Sequence, residues 1–180
     1  MDRAKLLHAA MVNGHPVRFY KTPHDEGQYP WHDHEALLTA IGFDPDDSAP
    51  IIADTIQAAP SLIVRVICPA TTRQVVIADN MLANTLFSTA PIGMPFISSG
   101  FGEYRDALAE AVGLLTGALR DPEDRATWLT NAWLHDQGKQ QMPPELEHEL
   151  RQMARVTGRT LFDPGSNKDG SPAGTRSTIH

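Results

Sequence analysis

Residues 62–68 (LIVRVIC) and 73–79 (RQVVIAD) are two apolar runs rich in β-branched side chains, separated only by Pro69, Ala70, Thr71 and Thr72. Side chains of this type pack well on a pleated surface, and the short connection allows only an antiparallel return, so the pair predicts a β-hairpin. A smaller hairpin is predicted upstream. There, residues 16–21 (PVRFYK) follow the turn-forming Asn13 and Gly14, and the chain returns through the QYPW segment after Pro23 and Gly27.

Helical signals surround these strands. After Trp31 the run HDHEALLTAIGF places Leu37, Leu38 and Ile41 on one face, with Asp33 positioned to cap the start and Gly42 to end the helix. A second helix is predicted from Ser48 or Pro50 to Ala59, stopped by Pro60. Asp79 is positioned to cap a third helix through Met81, Leu82, Leu86 and Phe87, and the prolines at 91 and 95 break it. The Gly-rich stretch 93–102 reads as a flexible connector. The second half is helical: Tyr104, Leu108, Val112 and Leu115 mark one amphipathic face, and Asp121-Pro122-Glu123-Asp124 opens a helix that buries Trp128, Leu129, Ala132 and Trp133 and stops at Gly138. A last helix is predicted from Pro143 to about Thr157. The chain therefore reads as an α+β protein, with small antiparallel hairpins and short helices in residues 1–100, a helical region at 101–162 packed on it, and a polar tail at 163–180 too poor in apolar residues to pack.

With 180 residues and 41% hydrophobic content the chain can bury one sizeable core without disulfides. Its single cysteine, Cys68, falls inside an apolar run and reads as core with a disfavoured thiolate, which points to a reducing cytoplasm. No run approaches the roughly 18 apolar residues of a membrane span, and no secretory leader is read at the start. The net charge of −7 is concentrated: from Thr22 to Pro60 there are eight carboxylates and no Lys or Arg. That stretch repels phosphate and suits either a solvated surface or a basic protein partner, with Asp44, Asp46 and Asp47 at its centre.

Two other patterns carry chemistry. His24, His32, His34 and Glu35 concentrate nitrogen and oxygen ligands and form a candidate site for a divalent metal, and hence for a metal-dependent enzyme. A helix through this segment, however, turns His32 and His34 about 160° apart at 3.6 residues per turn, and the i,i+4 histidines of a zinc protease are missing. Arg151, Arg155 and Arg159 recur every four residues and form a ridge able to contact nucleic-acid phosphates, although Glu147, four residues before Arg151, favours an ion-paired face. There is no nucleophile elbow and no phosphate-binding glycine loop of either common spacing. No catalytic residue is assigned and no cofactor is expected.

The stretch VNGHPVRFYKTPHDEGQYPWHDHEALLTAIGF resembles the start of BRO-N-type phage antirepressor domains, in its Gly turn, its VRF strand, its aromatic second strand and its short helix ending in Gly42. The later RQVVIADNMLANTLFST is similar to their strand, acidic residue and helix step. The resemblance spans roughly residues 10–90 and implies a mobile-element regulatory protein that binds nucleic acid or a repressor. The acidic stretch 22–60 and the shortage of basic residues depart from a DNA-contacting surface. The favoured reading is thus a non-enzymatic regulator with a protein partner, DNA being the second partner class and the metal-dependent enzyme the alternative.

Overall fold

A computed structural model describes residues 4–24, 27–89 and 96–160. It is an α+β fold in which five antiparallel strands, β1 (Leu6–Val12), β2 (His15–Tyr20), β3 (Trp31–Asp33), β4 (Ile63–Ile67) and β5 (Gln74–Ala78), form one sheet in the order β1-β2-β3-β5-β4. The 62–79 hairpin forms as expected, Val66 facing Val75 and Ile63 facing Ala78. Upstream, β2 is shared between two neighbours. It turns back on β1 through Asn13 and Gly14, whose φ values of +48° and +78° suit a two-residue hairpin turn, and it also pairs with β3 through Tyr20 and Trp31. The returning strand is therefore Trp31–Asp33 rather than the whole QYPW run, where two prolines flank the chain.

Six helices complete the described chain: α1 (His34–Ala40), α2 (Pro45–Ala58), α3 (Asn80–Thr89), α4 (Phe96–Thr116), α5 (Pro122–Asp136) and α6 (Pro144–Thr160). The acidic caps act as anticipated. Asp33 accepts from the Ala36 N–H, Asp79 from Met81 and Asp121 from Glu123, each satisfying an otherwise orphaned first-turn donor. Gly42, at φ +98°, takes the left-handed position that ends α1. Two boundaries differ from the sequence reading. α2 starts at Pro45 and carries Pro50 within it, and α4 already begins at Phe96, so residues 96–102 are helix rather than connector. α4 then runs along β1, so the division expected at residue 100 falls inside a helix packed on the sheet. The tail expected at 163–180 lies outside the described residues.

The sheet separates two apolar clusters. On one face Val17, Phe19, Leu37, Leu38, Ile41, Ile52 and Tyr104 pack beneath α1, α2 and α4. On the other, Tyr20, Trp31, Val66, Cys68 and Ile77 form a smaller core. Among the described residues this second core takes no helix residue, and the sheet coils over it. β1 and β4 are its two opposite edges, yet Ala4, just ahead of β1, donates its N–H to the Ile67 carbonyl at 3.3 Å, so the edges meet at one end. A register shift between Leu6 and His8 assists: Leu6 faces Tyr20 in the smaller core, whereas His8, two residues on, faces Phe19.

α5 and α6 pair beside this body. Arg125 is buried and spends its guanidinium on backbone carbonyls, with Nε on Ala154 at 2.9 Å and Nη1 on Leu119 and Arg120 at 2.6 and 3.1 Å. The expected apolar face of α5 is shallower than its sequence implies. Only Ala132 of the four residues is fully buried, and Trp133 is half-buried with the Lys139 ammonium over its ring at 5.3 Å. Phe19→Ala should therefore cost about 3–5 kcal/mol in chemical denaturation, as for other buried aromatic truncations, and Trp133→Ala clearly less. Equal losses would show that Trp133 is a core residue after all.

Candidate functional site

His32 is the middle residue of β3 and His34 opens α1, with Asp33, the last residue of β3 and the cap of α1, between them. The switch from extended to helical backbone within three residues changes the geometry that a continuous helix would impose. Instead of pointing apart, the two rings approach, His32 Nε2 lying 3.0 Å from His34 Nδ1, and both are buried. The sequence reading that separated them is corrected at this junction. His24 does not join them. It is exposed and its ring packs edge-on to Trp31 at 5.6 Å, whereas Trp31 and His32, adjacent on a strand, face opposite sides of the sheet. Glu35 is exposed in the first turn of α1. Among the described residues no group of three or more His, Cys, Asp or Glu side chains is arranged to hold a metal ion.

The two histidines instead begin a chain of polar contacts. His32 Nδ1 is 3.2 Å from the Tyr104 hydroxyl, which donates to Asn80 Oδ1 at 3.0 Å, and the Asn80 amide donates in turn to the Asp136 carboxylate. Asn84 and Gln137 also donate to Asp136. Alongside, His135 Nε2 meets Asp79 Oδ2 at 3.0 Å. The residues come from β3, α1, α3, α4 and α5. Their donor and acceptor roles follow from chemistry. The Tyr104 proton is used on Asn80, so His32 must carry its hydrogen on Nδ1. Its Nε2 is then an acceptor, and His34 must donate from Nδ1.

Electrostatics agree with that assignment. Burial, and then the neighbouring His34, hold His32 well below the ordinary imidazole value, and burial alone brings His34 down to about 4. Both rings are thus neutral at pH 7. Burial, followed by Asp79 and Asp136, pushes the Tyr104 phenol well up, so it keeps its proton. Asp33 is raised by burial, against the opposing pull of its Ala36 hydrogen bond and of Arg18 at 3.8 Å.

The other sequence-selected residues lie apart from this chain. Asp44, Asp46 and Asp47 are exposed at the start of α2, where Asp44 makes no side-chain cap bond, and among the described residues none of the three is ion-paired. Arg151 contacts Glu123 at 2.6 Å and Glu147 at 3.1 Å, and Arg155 contacts Glu123 at 3.7 Å. The Arg159 side chain lies outside the described residues. Cys68 is fully buried as expected, but its thiolate is not disfavoured. Burial pushes the thiol up, and the polar groups around it at Thr71, Tyr20 and the Thr71 and Ala70 backbone outweigh it, bringing it to about 7. Sequence reasoning missed Tyr104, Asn80 and Asp136. A lone tyrosine at helical spacing reads as core, and only the asparagines one turn apart on α3 gave any signal.

No protein-family model matches this chain, and no curated protein or solved structure matches it either. Its class is defined by its own architecture, an α+β protein on a coiled five-stranded antiparallel sheet. None of its described helices is long and apolar enough to cross a membrane.

The polar chain makes stability pH-dependent. A histidine whose folded value lies below its unfolded value of about 6.5 favours the folded state above that pH and loses the contribution as pH falls toward the folded value. His34 alone, at about 4, should remove roughly 3 kcal/mol over that window. Asp33 acts in the opposite sense only at more acidic pH, once carboxylates begin to titrate. Urea midpoints should accordingly fall between pH 6.5 and 5.5, and a flat profile would contradict neutral buried rings. Tyr104→Phe, which removes one hydroxyl and strands both His32 Nδ1–H and Asn80 Oδ1, should cost about 1–3 kcal/mol in the same assay.

Proposed function

We propose that this chain is a non-enzymatic regulatory or interaction protein of the phage-antirepressor type, and that it works by binding a basic protein partner through its acidic face. The observation that carries this reading is the unequal state of the two charged surfaces. The carboxylates of Asp44, Asp46 and Asp47 are exposed and uncommitted among the described residues, whereas Arg151 and Arg155 are already neutralised by Glu123 and Glu147. A phosphate backbone would have to displace those acids and then meet a chain of net charge −7. The polar chain supports the same reading. The mutual contacts of His32, His34, Tyr104, Asn80 and Asp136 are internal and bind helices to the sheet, which makes them a scaffold for presenting a surface.

The resemblance to BRO-N-type domains fits the arrangement. A hairpin turning at Asn13-Gly14, a short strand leading into an Asp-capped helix that ends at Gly42, and a second strand leading through Asp79 into α3 follow the order that the family would supply. Its regulatory partner would be a DNA-binding repressor, whose basic surface is the complement of the α2 acids.

Affinity capture from cell extract tests the proposal, with the Asp44→Asn, Asp46→Asn, Asp47→Asn triple variant as matched control. The native chain should enrich a basic DNA-binding protein, and the variant and 0.5 M salt should each reduce that enrichment about tenfold, since exposed charges act chiefly on association. In parallel, duplex DNA should give no shift in a gel at low salt. Submicromolar, salt-sensitive DNA binding that is lost on Arg151→Ala and Arg155→Ala would overturn the proposal in favour of the nucleic-acid reading.

A further inference from the structure

At the end where the coiled sheet draws its edges together, a cavity of about 230 Å³ opens onto the smaller core. Val66 and Ile77, both members of that core, line it together with Ala4 and Pro23, and Lys5 and Lys21 complete its lining. Thr22 also lines it, but its hydroxyl is already used, donating to Gln28 at 2.9 Å and accepting from the His24 N–H at 3.1 Å. Polar recognition at the mouth therefore falls to the lysines.

The lysines are placed at some cost. Leu6 pairs with Tyr20, and the Lys21 N–H continues the ladder onto the Lys5 carbonyl at 2.8 Å, so the two lysines are cross-strand neighbours. Like charges in that position repel. Both are exposed, and among the described residues neither is ion-paired, even though the chain as a whole is acidic. An anion at the mouth would relieve the repulsion, and the long flexible stems allow both ammonium groups to reach it. The apolar lining calls for an apolar body behind that anion. The volume falls below the roughly 300–1,000 Å³ of pockets for drug-sized ligands, so the occupant is small and is not a peptide backbone.

We propose that the mouth of the coiled sheet is a binding site for a small organic carboxylate with an apolar or aromatic body, the carboxylate lying between Lys5 and Lys21 and the body resting on Ala4, Pro23 and the rim of Val66, above the fully buried Ile77. This site lies at the end of the sheet where its edges meet, shares no residue with the His32–Asp136 chain and is independent of the α2 acidic surface. The core beneath it also holds the Trp31 indole N–H, which is buried and has no acceptor among the described residues, and whose resonance offers a local reporter.

The test is a titration of the full-length ¹⁵N-labelled chain with phenylacetate, followed by amide and indole N–H shifts. Saturable shifts should be confined to the amides of residues 4–6, 21, 22, 66 and 77 and to the Trp31 indole. Phenylacetamide, which keeps the body and removes the charge, should bind about tenfold more weakly or worse. The Lys5→Gln, Lys21→Gln double variant alters two exposed residues and should keep the native spectrum while losing phenylacetate binding to a similar degree. Shifts scattered over the surface, equal binding of acid and amide, or unchanged binding by the double variant would overturn the site. Inorganic phosphate binding as tightly as phenylacetate would overturn the assignment of an apolar body.

Discussion

An imidazole buried at an interface between a sheet and a helical layer has two ring nitrogens to satisfy and cannot afford a charge, and in this protein two such rings are placed side by side. His32 and His34 meet that constraint through a directional chain in which every proton runs the same way, from His34 to His32, from His32 to Tyr104, from Tyr104 to Asn80 and from Asn80 to Asp136. Each step joins a different element. β3 and α1 are linked to α4 through Tyr104, to α3 through Asn80 and to α5 through Asp136. Apolar packing on that face would tolerate small slips of one helix against another, but a chain of buried donors and acceptors does not, because each misplaced partner leaves an orphan costing about 1–3 kcal/mol.

The opposite face of the sheet solves its burial problem differently. Trp31, Tyr20, Val66 and Ile77 are covered because the sheet coils toward closure, and the Ala4 to Ile67 hydrogen bond marks where the edges approach. Coiling shields edge strands that would otherwise offer unpaired backbone groups to another chain. It also creates a mouth, and the two lysines there stand out in an acidic protein. The clamp at Arg125 belongs to neither face. Its guanidinium closes the turn before α5 and holds α6, so the outer helical pair is fastened by charge-assisted bonds to carbonyls more than by its half-buried tryptophans.

Local rules made much of this fold legible in advance. The 62–79 hairpin follows from β-branched runs, and the starts of α1, α3 and α5 follow from Asp33, Asp79 and Asp121, since a cap is a contact within three residues. β1 was not legible, because LLHAAMV is rich in residues that favour helices and becomes a strand only by pairing with β2. The start of α2 was obscured by two prolines, of which Pro45 is the one in the first turn and Pro50 is accommodated inside. The histidine pair was visible as composition but not as geometry. Its convergence depends on a strand becoming a helix at Asp33, and its partners lie 46 or more residues away in sequence. Tertiary polar contacts of that separation leave no periodic trace.

The tautomers of His32 and His34 report most directly on the central claim, that a neutral, directional chain joins the sheet to the helices. Long-range ¹H–¹⁵N correlation at pH 7 on protein labelled at the imidazole nitrogens resolves them. Both rings should be neutral, both should carry hydrogen on Nδ1, and both Nδ1–H protons should exchange slowly with water. An Nε2–H tautomer at His32, or an imidazolium signal from either ring at that pH, would contradict it.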